Sequence, residues 1–293
     1  MATLRDIRHR ITAVKNTAKI TSAMRMVAAA KLRRAQDNIL AARPYTDKLA
    51  AVLGNLAGSS EEGYYHPLLR KPEQIRHIAV IVISSDRGLC GSFNANLLRT
   101  AAAYIDTAIP AEYPNAKVSV VSVGRRSVQY FSKRNDTVIG EYPDIFGQLH
   151  FSTAAEISAI VAQGFINETF DKVIVFNNEF KSVIKQEVNS KQLLPVESQT
   201  PLENSKHSDY IYEPTRGDIM DILLPKYLNN LVWKGLLESN AAEQAARMMA
   251  MESATTNARD LIRSLELSYN KARQASITTE MLEIVGGAEA LKA

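Results

Sequence analysis

The chain has 293 residues, 46% of them apolar and 23% charged, which allows one or two compact units plus an extended part and excludes disordered and collagen-like chains. Thirty-five Lys and Arg against 31 Asp and Glu leave a net charge of only +4, too small to imply a nucleic-acid partner unless it is unevenly placed. A lone cysteine, Cys90, closes no internal disulfide, five scattered His form no zinc pattern, and the longest aliphatic run, Ile78 to Ile83, is far too short for a membrane span. A reducing setting follows, and the charge spread through the first twenty residues leaves no secretory signal visible.

All ten prolines lie between Pro44 and Pro225. Proline breaks helix interiors, so long helices are expected only at the two ends. In residues 1–58, steps of three and four fall on Leu4, Ile7, Ile11, Val14, Ala18, Thr21, Arg25, Ala28, Leu32, Ala35, Ile39, Ala42, Thr46, Leu49, Leu53 and Leu56. A register held that long predicts a coiled-coil helix, with Thr21 and Arg25 as polar interruptions and a kink at Pro44.

The middle of the chain follows another pattern. HIAVIVIS (77–84), VSVVSV (118–123) and KVIVFNN (172–178) are continuous apolar runs rich in β-branched residues, as expected of strands buried on both faces. Helical stretches from Phe93 and from Thr153 separate them, and Thr153 with Glu156 matches a capping box. Alternating strands and helices predict a mainly parallel, Rossmann-like α/β domain over residues 75–195. Residues 196–225, bounded by prolines, read as an extended connection. Residues 226–293 are rich in helix formers. Here Ala258, Ile262, Leu265, Tyr269 and Ala272 form one stripe, and Ile277, Met281, Ile284, Ala288 and Leu291 form another, displaced by one residue. The fold class is therefore α/β, an antiparallel coiled coil of the terminal helices with an inserted domain, the longer C-terminal helix overhanging.

Two features are candidates for function. SSDRGLCGSFN (84–94) places glycines where a strand turns into a helix, a geometry that can cradle phosphate. It lacks the G-x-G-x-x-G fingerprint, and no Gly-Lys pair exists to make a P-loop. A tight turn at the sheet edge is the favoured reading, over a nucleotide-binding enzyme or a Cys90 nucleophile. The second feature is charge. Between Met1 and Gln36 lie nine basic residues and one acidic residue, a charge of +8. One-sign charge on a helix is self-repelling, so an acidic partner is expected: nucleic acid, an anionic membrane surface or an acidic protein loop. No Phe, Tyr or Trp precedes Tyr45 to stack on bases, which favours protein and leaves a coiled-coil nucleic-acid binder as the alternative.

IRHRITAVKNTAKITSAMRMVAAAKLRRAQ, SSDRGLCGSFN, DYIYEP (209–214), NAAEQAARMMAMESATTNA and YNKARQASITTEMLEIVGGAEAL, in this order along the whole chain, resemble the gamma-subunit family of F-type ATP synthases. The resemblance implies a non-catalytic rotor shaft without cofactor or metal, one copy per complex, coupling proton or sodium flow to ATP chemistry on the beta subunits. Its coil would turn inside a hexamer of alpha and beta subunits, and its foot would be held by epsilon and the ring of membrane c subunits. Lys19, Met24, Arg25, Lys31, Arg33 and Arg34 would meet acidic lobes of beta, and Arg273 with Gln274 would catch one beta loop. Ile277, Met281, Ile284 and Leu291 would sit in an apolar bearing. Tyr210, Tyr212 and Glu213 would contact the c-ring and epsilon. Membrane association would run only through partners, at the cytoplasmic face of a bacterial inner membrane. With Cys90 alone, the regulatory cysteine pair of chloroplast members is not expected, and the missing transit peptide favours a bacterial or mature organellar chain.

Overall fold

A computed structural model describes residues 3–58, 66–134, 136–196, 213 and 215–290. The chain divides into two compact units, one of Met1–Ala28 with Met248–Ala293 and the other of Ala29–Arg247. Two long helices, α1 (Leu4–Gly58) and α6 (Arg216–Ala290), contribute to both. Both open on the same device. The amides of Asp6 and Asp218 donate to the hydroxyls of Thr3 and Thr215, each at 3.2 Å. Thr3 N–H returns a bond to Asp6, and Thr215 Oγ1 one to Asp218. Each Thr-x-x-Asp box satisfies helix-end donors and puts negative charge at the positive end of the dipole; its hydrogen bonds hold the Asp6 carboxyl below its ordinary range.

The Thr215 box starts α6 ten residues before the expected boundary at 226, so the extended connection ends before Arg216 and Pro225 lies inside the helix. Pro44 likewise lies inside α1, which runs through it without a break. Both prolines are exposed, so water can take the carbonyls their missing N–H groups leave free. All sixteen stripe positions of α1, from Leu4 to Leu56, are buried or half-buried.

In the first unit, Thr21 Oγ1 and Thr255 Oγ1 lie 2.7 Å apart in the core, and Lys15 Nζ donates to Glu266 at 2.7 Å nearer the end of α1. Rising numbers on one helix meet falling numbers on the other, so the pair is antiparallel. On α6 the main covered positions from Met251 are Met251, Thr255, Ala258, Ile262, Leu265, Tyr269, Ala272 and Ser276, an alternation of fours and threes, with Ala254 half-buried beside them. From Ile277 to Ala288 every residue is exposed among the described residues.

In the second unit, five strands form one sheet in the order β3-β2-β1-β4-β5. They are β1 (His77–Ile83), β2 (Lys117–Val123), β3 (Thr137–Tyr142), β4 (Lys172–Phe180) and β5 (Gln186–Leu194). The first four are parallel, and β5 pairs antiparallel with β4. Ile78, Val80, Val82 and Phe176 pack on one face under α2 (Phe93–Ala103), which continues through a π-helical turn into α3 (Ile109–Glu112). Phe131 of α4 (Arg125–Phe131) joins that cluster. Ala79, Ile81, Ile83 and Val175 face the other way, against α5 (Phe151–Ile166), the second half of α1, and Leu224, Leu228, Val232 and Leu236 of α6. Burial on both faces is why the strands read as unbroken apolar runs.

One detail differs from expectation, and one glycine is required by its backbone. Helix α5 starts at Phe151 after His150, with no side-chain cap, so the Thr153 and Glu156 box does not form; Thr153 N–H bonds to His150 O at 3.2 Å instead. Gly124, after β2, has φ +85, and a Cβ there would lie 2.3 Å from the Ser84 carbonyl oxygen. Gly124→Ala therefore combines backbone strain with a backbone clash and should destabilise this unit by on the order of 3 kcal/mol. Chemical denaturation of the variant checks this, and an unchanged midpoint would refute it.

Candidate functional site

The turn after β1 leaves the middle strand of the sheet, which corrects the expectation of a sheet-edge turn. Its polar groups are used internally. Ser85 N–H donates to Asn94 Oδ1 at 3.0 Å, Ser85 Oγ donates to Arg87 O at 2.8 Å, and Asn94 Nδ2 donates to Ser85 Oγ at 2.8 Å. Asp86 ties three loops together: its carboxylate accepts the amides of Arg125 at 2.9 Å, Asp144 at 2.8 Å and Phe146 at 2.9 Å. Arg125 is the first residue of α4. Within the turn itself, the amides of Ser85 and Phe93 are taken by Asn94 Oδ1 and Cys90 O, and Asp86 adds a negative charge to a place where a phosphate would need positive ends. The geometry favours a structural turn over a nucleotide cradle.

The turn is fastened to α6. Arg247 donates through Nη1 to Gly88 O at 2.6 Å and pairs through Nη2 with Glu243, both side chains being largely buried. Cys90 is buried beside Phe93 and Ala242. Burial first, and then the neighbouring Glu243 charge, push its thiol above the ordinary range, with Arg247 opposing; a thiol so placed is a poor nucleophile. Leu89 holds φ +63 and is 66% exposed, so the tip of the turn presents an apolar side chain outward. The buried Arg247 and Glu243 pair was not singled out from the sequence, although opposite charges four apart in the Ala- and Met-rich AAEQAARMMA were its available signal.

Other expected site residues fall into separate groups. In the first unit, α1 carries Lys19 exposed and Met24 and Arg25 half-buried, while α6 carries Arg273 and Gln274, both exposed. Ile277, Met281 and Ile284 are 49%, 61% and 71% exposed. With Leu282 and Val285 also open, this end of α6 is an apolar surface in want of cover. In the second unit, Lys31, Arg33 and Arg34 are exposed on α1. None of Lys19, Arg25, Lys31, Arg33 and Arg34 forms an ion pair among the described residues, in contrast to Lys15. Glu213 is exposed; Tyr210, Tyr212 and Leu291 lie outside the described residues. Among the described residues no cluster of three His, Cys, Asp or Glu could hold a metal ion, and no helix is long and apolar enough to cross a membrane. The described residues thus offer cations without an ion pair, an apolar helix end and a braced turn, and no reacting cluster.

Comparisons with known proteins agree in kind. The model of the ATP synthase family described as "ATP synthase" matches residues 3–291. The chain is 47% identical over 292 residues to the ATP synthase gamma chain of Chlorobaculum parvum, and 48% identical over 294 residues to that of Chlorobium phaeobacteroides, covering 100% of each chain in both cases. Among solved structures, a chain of the Euglena gracilis mitochondrial ATP synthase (OSCP/F1/c-ring) superposes with a TM-score of 0.65 at 19% identity, covering 98% of this chain and 94% of that one. A chain of the Tetrahymena thermophila mitochondrial ATP synthase central stalk and c-ring gives 0.56 at 24% identity, over 80% and 99%. These two structures speak for the fold.

The fastening of the turn is open to test. Arg247→Ala leaves Glu243 buried without its partner and should cost about 3–5 kcal/mol. Cys90 should then react faster with a thiol reagent, and Glu243→Gln combined with Arg247→Met should recover most of the loss. Unchanged Cys90 protection in Arg247→Ala would contradict this account.

Proposed function

The chain belongs to the ATP synthase gamma-chain family, and from that premise we propose a non-catalytic shaft that couples ion flow through a membrane sector to ATP synthesis or hydrolysis on surrounding beta subunits. The observation that carries this reading is the 47% identity running the full length of both chains. The structure adds an antiparallel helix pair with basic side chains that form no ion pair among the described residues and an apolar end, and a turn that spends its polar groups on itself and carries the Asp86 carboxylate. These favour a shaft over a nucleotide enzyme. A nucleic-acid binder is disfavoured by the absence of any aromatic residue on α1 before Tyr45.

In this reading the mechanism is steric and electrostatic. An asymmetric shaft inside a ring of near three-fold symmetry meets the three beta subunits differently, so each holds a different nucleotide affinity. A difference in binding free energy between states is what coupling requires. Lys19, Met24, Arg25, Lys31, Arg33 and Arg34 press on acidic lobes of beta, Arg273 and Gln274 hold a beta loop, and Ile277, Met281, Ile284 and Leu291 turn in an apolar sleeve, where the absence of directional bonds keeps friction low. Tyr210, Tyr212 and Glu213 belong to the foot that meets epsilon and the c-ring. One copy serves each complex, held through its partners at the cytoplasmic face of a bacterial inner membrane.

Co-purification tests the class: alpha and beta subunits should accompany this chain in excess over a single copy, and their absence would refute the assignment. Exposed ion pairs are each worth about 0–1 kcal/mol, so Arg33→Ala or Arg34→Ala should leave activity near that of the parent. Reversing Lys19, Lys31, Arg33 and Arg34 together to Glu should uncouple ATP hydrolysis from ion pumping, measured on membrane vesicles. Hydrogen bonds to a charged group contribute about 1.5–3 kcal/mol, so Arg273→Ala should lower ATP turnover on the order of tenfold without dissociating the complex. Undiminished turnover would remove Arg273 from the catch.

A further inference from the structure

Large aromatic side chains exposed together need an explanation that scattered ones do not. In the second unit, Tyr45 of α1, Phe151 at the start of α5 and Trp233 of α6 line one open groove of about 390 Å³. Phe151 and Trp233 meet edge to face, with centroids 5.9 Å apart, and Phe151 and Tyr45 are 45% and 55% exposed. The groove is held in shape from beneath. Ile157 and Val161 anchor α5 in the core with Leu228 and Val232 of α6, and Ser158 Oγ bonds to Asn229 Oδ1.

The polar lining is unevenly matched. Lys226 Nζ, the Nδ2 amide of Asn229 and the indole N–H of Trp233 have no hydrogen-bond partner among the described residues. Asn230 donates through Nδ2 to Lys226 O at 2.8 Å, which leaves its Oδ1 to accept. Beside the Tyr45 hydroxyl, which can donate or accept, three donors therefore stand against one acceptor over an aromatic floor. The cleft next to it, which shares Ala42, adds Arg43 and Lys234 against Asp47, with Lys234 facing Glu238 at 3.8 Å. The local balance is basic.

We propose that this groove is a docking site for a segment of another subunit, a short stretch in which an aliphatic or aromatic side chain neighbours an Asp or Glu. The apolar side chain covers Phe151 and Trp233, and the carboxylate meets Lys226. Main-chain carbonyls accept from Asn229 and Trp233, and one main-chain N–H donates to the Oδ1 of Asn230. A peptide supplies this mixture of acceptors, one donor and apolar bulk. A nucleic acid would want a track of cations where the groove itself offers one. The proposal rests on the chain working inside a multi-subunit complex, and it assigns to that complex a contact separate from the basic stripe of α1 and the apolar end of α6.

The test uses the assembled complex with a photo-crosslinking benzoylphenylalanine at Tyr45, and mass spectrometry to identify the product. The expected product is one peptide of another subunit carrying an acidic residue beside the crosslinked position. Lys226→Glu should cut the yield about tenfold, equivalent to about 1.4 kcal/mol, and replacing that acidic residue by Lys should restore it. Lys226→Met, which keeps the aliphatic stem, separates the charge from its packing, and protection of the Cys90 thiol reports that each variant is folded. Crosslinking to lipid, to a second copy of this chain or to nothing, in a complex that retains alpha and beta subunits, would overturn the groove assignment alone. So would a crosslinked peptide indifferent to Lys226→Glu. A chain that brings down no other subunit would overturn the groove and the shaft together.

Discussion

The burial of α6 between α1 and the sheet is the constraint on which the second unit depends. From Tyr227 to Ala245 every residue of the helix is buried or half-buried, the condition of a helix covered on more than one face. Gly235 permits the approach to the strand, since a Cβ there would sit 3.3 Å from the Ile83 side chain. Ser239 Oγ donates to Ile83 O at 3.2 Å. One sheet face is roofed by this segment together with α5 and the second half of α1, and Arg247 fastens the turn after β1 to the same helix. The helix that closes the α/β core is also the helix that supplies one strand of the coil in the first unit.

Much of this was legible because it rests on periodicity. The sixteen α1 positions from Leu4 to Leu56 are spaced so that one face is covered, and burial follows that spacing through Thr21, Arg25 and Thr46 despite their polarity. The strands β1, β2 and β4 announce themselves as apolar runs because both of their faces are covered. The edge strands do not: β3 is only half-buried, and β5, reading QEVNSKQLL, carries the polar residues that keep an edge from pairing with other chains. The start of α6 was hidden by Pro225, which read as a stop although it is an exposed passenger. Thr215 and Asp218, the residues that cap the helix, sit in a stretch that looks like linker.

The candidate sites were legible to a different degree. Lys19, Lys31, Arg33 and Arg34 could be read as unpaired and exposed because charge of one sign on a helix has nowhere internal to go. The fastening of Gly88 by Arg247 joins residues 159 apart in sequence, and the grip of Asp86 on the loops after β2 and β3 depends on where those loops return; neither follows from local spacing. The same holds for the groove of Tyr45, Phe151 and Trp233, drawn from three helices. What the sites share is the lack of a reacting constellation: Cys90 is buried with its thiol pushed up, and Asp86 is spent on backbone amides. In the proposed reading chemistry is left to partners, and this chain would present shapes and charges to them.

The most direct measurement follows a probe on the α/β unit while the complex hydrolyses ATP. Ile184, in the connection between β4 and β5, is 82% exposed, and the native Cys90 is buried, so Ile184→Cys gives a single accessible thiol for a bead. With the catalytic ring fixed to a surface, the account predicts that ATP drives the bead continuously in one direction. A bead that stays still while ATP is hydrolysed at the full rate would contradict it.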